Sequence, residues 1–173
     1  LDLCAAPGGK ATHILEQFNV SLDCYDINEE RLFLVRDNLT RLGLQANILH
    51  QLKTSHQYDR ILIDAPCSGS GAVRRTVDIK IMRREEDMKK FQKQQMQLLE
   101  QGWSHLKKSG KLLYVTCSIF NDENMDVINL FLKKYTDVTL EKNHIPKDFS
   151  FIDKQLIPNS NHDGLFFQLL TKN

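Results

Sequence analysis

Arg60-Ile-Leu-Ile-Asp-Ala-Pro-Cys-Ser-Gly-Ser-Gly71 is the stretch on which the reading of the fold turns. It predicts a buried strand from Arg60 to Ile63 that ends in a carboxylate, Asp64, and then a Pro-Cys turn. An apolar run closed by Asp64, Pro66 and Gly69 is how a parallel strand enters a functional loop. In open α/β sheets ligands sit at those carboxyl ends. Lys111-Leu-Leu-Tyr-Val-Thr-Cys-Ser118 repeats the pattern and delivers a second cysteine, Cys117, just past a strand. Two neighbouring strands can therefore present Asp64, Cys67 and Cys117 to one cleft.

Outward from this pair, strands and helices alternate. Leu1 to Lys10 is a strand end running into a Gly-Gly turn, and a helix follows from about Lys10 to Gln17. Val20 to Tyr25 predicts a second strand, ending at Asp26. A helix from about Glu29 to Leu42 repeats Leu32, Val35, Leu39 and Leu42 at helical spacing, and Gly43 stops it. Asn28 is placed to cap that helix. Leu44 to Leu49 is a third strand. Beyond the Asp64 loop, a helix from about Glu85 to Leu106 carries Phe91, Met96, Leu98, Leu99 and Trp103 as core residues. The turn Lys108-Ser-Gly-Lys111 leads into a strand from Leu112 to Thr116. Asn121 or Asp122 caps a helix from Glu123 to Lys134, and Val138 to Leu140 is a sixth strand. Residues 143–163 read as irregular and polar, and Leu165 to Leu170 closes the chain as a strand. This order predicts an α/β, doubly wound Rossmann-like fold, a mostly parallel seven-stranded sheet whose last strand is antiparallel.

Composition narrows the function without choosing it. The 173 residues suit one domain, 41% are apolar, and the formal net charge is +1, so any nucleic-acid surface must be local. The apolar runs are too short to span a bilayer. Leu1 falls inside a strand, which leads to the expectation that the chain is cut from a longer protein. Cys4, Cys24, Cys67 and Cys117 form no C-x-x-C pair, and no Cys/His group has metal spacing, so no metal is expected. Cys4 and Cys24 sit in apolar contexts as small core residues. His50 and His56 read as surface residues. A reduced, cytoplasmic setting is the natural one.

The first glycine turn lacks G-x-G-x-x-G, which discounts a nicotinamide or flavin. Asp26 nonetheless lies at about the distance from that turn at which an acid binds both hydroxyls of a ribose. After the Asp64 loop, Arg74-Arg75, Lys80, Arg83-Arg84, Lys89-Lys90 and Lys93 outweigh the acids around them. Such a run is either a solvated face or a phosphate contact. Two thiols and an acid beside a donor site suit one reaction well. A thiolate adding to carbon 6 of cytosine turns carbon 5 into a nucleophile, and an acid at N3 supports the addition.

Several strings occur in order: Asp2-Leu-Cys-Ala-Ala-Pro-Gly-Gly-Lys10, Asp64-Ala-Pro-Cys-Ser-Gly-Ser-Gly71, Asp78-Ile-Lys80, Thr116-Cys-Ser118 with Glu123-Asn124, and Asp163-Gly-Leu-Phe-Phe167. Together they resemble the S-adenosylmethionine-dependent RNA (cytosine-5)-methyltransferases over essentially the whole chain, on the bacterial 16S rRNA branch. The resemblance implies S-adenosylmethionine as cofactor and 16S rRNA as partner. It implies that Cys4, Ala5, Ala6, Pro7, Gly8, Gly9 and Lys10 hold the methionine part, that Asp26 takes the ribose, and that Asp64 serves both cofactor and base. Cys117 is then the nucleophile and Cys67 assists product release. Where the family has Gly-Asp after the third strand this chain has Gln51-Leu52, and where it has His-Pro before Asp78 this chain has Thr76-Val77. An RNA-holding module in ribosome assembly with weakened cofactor affinity, or a tRNA cytosine-5 methyltransferase, are the alternatives.

Overall fold

A computed structural model describes residues 1–142 and 154–173, and residues 151–152 by their backbone. The strands are β1 (Asp23–Tyr25), β2 (Asn47–Leu49), β3 (Tyr58–Asp64), β4 (Leu106–Thr116), β5 (Val138–Leu140), β6 (Phe151–Ile152), β7 (Gln155–Leu156) and β8 (Leu165–Lys172). The helices are α1 (Gly9–Gln17), α2 (Leu32–Leu42), α3 (Ile79–Met82), α4 (Glu85–Ser104) and α5 (Met125–Lys134).

The opening residues stitch the sheet together. Asp2 pairs in parallel with Cys24 on one side and Leu62 on the other. β1 pairs with β2 and β3 with β4, all parallel, while β8 runs antiparallel to β4. Across the sheet the order is β2, β1, the opening segment, β3, β4, β8, with β5 and β7 sharing the outer edge of β8. The doubly wound, mostly parallel sheet with a reversed last strand is as the alternation of elements predicts.

Alternation along each strand sorts its side chains between two faces. Ile61, Ile63, Leu112, Tyr114, Phe166 and Leu170 turn toward α4 and α5, where Leu99, Trp103, Ile128 and Phe131 complete a buried core. Gly102 lets α4 lie close on that face, since a Cβ there would stand 3.0 Å from Ile63 and Leu112. On the opposite face Ala11, Leu32, Val35 and Leu39 of α1 and α2 pack over Cys24. Leu62, Leu113, Val115, Phe167 and Leu169 on that face line an open apolar cleft of about 1150 Å³.

Several boundaries differ from the sequence reading. β1 and β2 start later, at Asp23 and Asn47. α4 ends at Ser104, and β4 begins at Leu106 rather than Leu112. Tyr58 pairs with Leu106 and Arg60 with Lys111, so residues 107–110 bulge out within the strand, with Ser109 at φ 60°. α2 starts at Leu32 after a 3-10 turn, and Asn28 caps nothing with its side chain, while Leu42 lies exposed. α5 starts at Met125, uncapped by Asn121 or Asp122. Phe91 leaves the core and lies under the Arg83 guanidinium, 5.2 Å from its charge centre. Part of the stretch expected to be irregular forms the β6–β7 hairpin, too short for its pattern to show. Residues 143–150 lie outside the described residues.

Candidate active site

The site grows from the register of β3 and β4. Asp64 lies opposite Val115, and the Ala65 amide donates to the Val115 carbonyl at 2.9 Å. The Pro-Cys and Thr-Cys turns therefore leave the sheet side by side. Cys67 Sγ and Cys117 Sγ stand 3.2 Å apart. The hydrogen bond shared by the two sulfurs holds the Cys117 thiol below its ordinary range. Burial and Asp64 oppose the shift and Lys10 adds to it. The same bond, with burial second, pushes Cys67 up. Of the two sulfurs, Cys117 is the one the site favours as thiolate.

Lys10 reaches across from α1 and forms an ion pair with Asp64. The sequence placed Lys10 on the cofactor loop. The fold also ties it to the acid beside the thiols. The loop itself is held from several directions. Ala5 N–H donates to Tyr25 O and Ala6 N–H to Asp26 Oδ2, while Arg31 and Asn38 donate to the carbonyls of Ala6 and Pro7. Gly8 sits at φ 106°, and a Cβ there would approach Val35 Cα to 3.1 Å. Asp26 is buried and also accepts from Asn28 N–H at 3.0 Å, so it shapes the loop edge while each oxygen keeps a free lone pair. Cys4 is half-buried among apolar groups, and burial raises its pKa. Cys24 is fully buried.

A third acid joins them. Asp2 is 1% exposed, and neither of its carboxylate oxygens has a hydrogen-bond partner. Burial, and then the charge of Asp64, raise its pKa to about 6. The sequence carried Asp2 inside the quoted string but gave it no role. A buried carboxylate of this kind is costly, and a cationic group beside it would offset the cost. S-adenosylmethionine carries an ammonium at its amino-acid end, ribose hydroxyls and a sulfonium. Asp2, the Cys4–Lys10 loop, Asp26 and the N–H groups that open α1 fit those three features.

The thiol loops rest on a buried polar network that the sequence reading missed. Glu123, fully buried, accepts from Ser68 N–H at 2.7 Å, from Gln95 at 3.2 Å and from Ser118 Oγ at 2.6 Å. Ser70 Oγ bonds Ser118 Oγ at 3.1 Å and accepts from Ile119 N–H at 3.0 Å. Asn124 bonds Thr116 Oγ1 and donates to the Ser118 carbonyl. This is why Asn124 leaves α5 without a side-chain cap. Glu123-Asn124 was visible beside Thr-Cys-Ser, and an acid followed by an amide opening an apolar helix was the available signal.

The basic run does not form one continuous phosphate face. Arg74 and Arg75 turn to Asp163, Arg83 donates to the Ser68 carbonyl at 2.9 Å, and Lys90 pairs with Asp87. Leu52, where an acid was expected, packs against the main core. His50 and His56 are exposed as read. Among the described residues no group of His, Cys, Asp and Glu could hold a metal ion, and no helix is long and apolar enough to cross a membrane.

Comparison with known proteins adds an independent line. The pattern of the family described as 16S rRNA methyltransferase RsmB/F matches residues 1–171. A ribosomal RNA small subunit methyltransferase B from Photorhabdus laumondii is 44% identical over 99% of the chain, and the chain spans 42% of that relative's length. Its counterpart from an Escherichia coli strain is 42% identical, with the same coverage. Among solved structures, a methyltransferase homologue from Pyrococcus horikoshii matches with TM-score 0.81 and 31% identity over 99% of this chain and 60% of that one. The NSun6 of the same organism, solved with SFG, matches with TM-score 0.82 and 26% identity over 99% of this chain and 47% of that one.

Proposed function

The chain belongs to the 16S rRNA methyltransferase RsmB/F family, and from that premise we propose that it is the catalytic part of an enzyme that methylates carbon 5 of a cytidine in 16S rRNA, in the cytoplasm. The observation that carries the reading is the 3.2 Å approach of Cys67 and Cys117, with Cys117 favoured as thiolate. Asp2, Cys4 to Lys10, Asp26 and Asp64 are the residues proposed to hold S-adenosylmethionine. When bound, it supplies a methyl group activated by a sulfonium. Cys117 Sγ bonds to carbon 6 of the cytosine and raises the electron density at carbon 5. As the adduct forms, the Asp64–Lys10 pair delivers a proton to N3 through Asp64, which neutralises the negative charge that builds on the ring. Carbon 5 then takes the methyl group, a general base removes its proton, and the electron pair left behind restores the C5–C6 double bond and expels the Cys117 thiolate, a release that Cys67, next to the departing sulfur, assists. Carbon 6 is hidden in a base stack, so the target nucleotide is single-stranded or flipped out.

The test is incubation of the full-length protein with labelled S-adenosylmethionine and unmodified 16S rRNA, followed by bisulfite mapping. Label at carbon 5 of one cytidine is expected. Label on another base, or on tRNA alone, overturns the assignment.

Leu52 favours one second reading. Its side chain is drawn into the core where the family resemblance implies an acid toward the adenosine. On that reading the domain holds RNA without methylating it. Calorimetry with S-adenosylhomocysteine separates the two, because an RNA-holding module gives no binding heat.

A further inference from the structure

The Asp163-Gly164 pair has no part in the chemistry above, yet it lies behind the thiols. Gly164 N–H donates to the Gly71 carbonyl at 2.9 Å, and Gly71 N–H donates to the Cys117 carbonyl at 2.9 Å. Two hydrogen bonds thus link residue 164 to the backbone of Cys117. The crossing is tight, since a Cβ on Gly71 would stand 2.2 Å from the Gly164 oxygen. Asp163, whose side chain is only 12% exposed, receives two guanidinium groups there. Arg75 donates from Nε at 2.7 Å and from Nη2, both to Oδ2. Arg74 Nη2 stands 3.6 Å from Oδ1, an oxygen with no hydrogen bond of its own.

Two guanidinium groups share one carboxylate, beside a glycine tied through Gly71 to the backbone of Cys117. The acid is nearly buried while the Arg75 side chain is 66% exposed, so the fold fixes one edge of a guanidinium and leaves the rest to solvent. Guanidinium groups held in this way suit phosphate oxygens, which they bind through paired N–H donors. The backbone links from Gly164 through Gly71 to Cys117 keep this guanidinium pair one loop away from the proposed nucleophile, so a strand whose nucleotide is flipped onto Cys117 would run close to it.

We propose that Arg75 contacts a phosphodiester of the RNA backbone beside the target nucleotide, and that Asp163 is the residue that positions it. The inference rests on the RNA methyltransferase reading and adds to it a contact and its support. Arg74 shares the acid and adds charge to the same spot. Asp163 acts only through the arginines and touches no reacting atom.

The experiment uses the full-length protein and unmodified 16S rRNA. Filter binding over a range of salt concentrations gives the slope of log affinity against log salt, and steady-state methyl transfer gives KM and kcat separately. Losing one phosphate contact reduces that slope by about 1. Arg75→Ala is expected to show that reduction and a KM for RNA raised roughly tenfold, with kcat at saturating RNA within about twofold. Arg75→Lys keeps the slope and recovers part of the affinity. Asp163→Asn raises KM in the same direction, and Asp163→Glu reverses most of that rise. An unchanged salt slope in Arg75→Ala overturns the proposal. So does an Asp163→Asn protein whose kcat falls while KM stays constant, because a purely structural latch behaves that way. Arg75 is exposed, so its variants keep the question open to test if the Asp163 variants misfold. If the wild type binds this RNA without methylating it and Arg75→Ala still loses slope, the contact stands and the methyltransferase reading falls. If the wild type methylates and the slope does not move, the contact alone falls.

Discussion

Cys67 Sγ lies 3.2 Å from Cys117 Sγ although 50 positions of sequence separate them. The parallel register of β3 with β4 sets Asp64 opposite Val115, and each cysteine follows within three residues. The sulfur pair is thus a direct consequence of strand pairing.

Removing either thiol is expected to give a different result. Cys117→Ala abolishes methyl transfer, a loss of roughly 10³-fold or more for a missing nucleophile. Cys67→Ala leaves bond formation possible but slows release, and a protein–RNA adduct accumulates. A denaturing gel with labelled RNA reads both. Adduct in Cys117→Ala, or none in Cys67→Ala, reverses the roles.

The Cys117 thiolate depends on its neighbour, so its alkylation has a defined pH response. Because Cys67 lowers the Cys117 pKa, iodoacetamide labelling of Cys117 reaches half its maximum at a pH below the ~8.5 of a free thiol. In Cys67→Ala that midpoint moves upward. Mass spectrometry of the labelled peptide across the pH range checks it.

Asp2 predicts an exchange of stability for binding. Its folded pKa, about 6, lies above the ordinary carboxylate value. Protonated Asp2 therefore favours the fold, fully so below about pH 4, and this contribution is lost as pH rises through about 6. Asp2→Asn, neutral throughout, is expected to raise unfolding free energy at pH 8 by on the order of 2–3 kcal/mol, with the difference closing toward pH 4. It is also expected to weaken S-adenosylhomocysteine binding by calorimetry, because the ligand's ammonium loses its countercharge.

Glu123 holds both thiol loops by accepting three hydrogen bonds in a fully buried position. Glu123→Ala leaves those three donors unsatisfied, at about 1–3 kcal/mol each, and is expected to cost at least about 3 kcal/mol. Glu123→Gln keeps an oxygen for one or two of them and costs less, about 1–3 kcal/mol. Urea denaturation of the two variants gives the ordering.

Gly71 is fixed by a backbone on its other side, and a Cβ there would stand 2.2 Å from the Gly164 oxygen and 2.9 Å from the Cys117 oxygen. Gly71→Ala is expected to destabilise by about 3 kcal/mol. Gly9→Ala meets nothing within 4 Å, so its thermal midpoint should not fall.

The sequence by itself determined the elements and their alternation, because apolar periodicity and turn residues are local signals that each strand and helix carries alone. It also marked Asp64, Cys67 and Cys117 as strand-end residues, while residues 4–10 gained a cofactor role only through the family resemblance. Where it set strand starts too early or put Phe91 in the core, the deciding interaction was pairing or packing with a distant segment. The bulge at residues 107–110 exists only because Arg60 pairs with Lys111. Tertiary structure alone decided that Lys10 pairs with Asp64, that Asp2 is buried without a partner, that Glu123 lies beneath both thiol loops, and that Asp163 gathers two arginines. Each of these joins residues from separate elements, and a charge or hydrogen bond between them depends on a distance that periodicity does not encode.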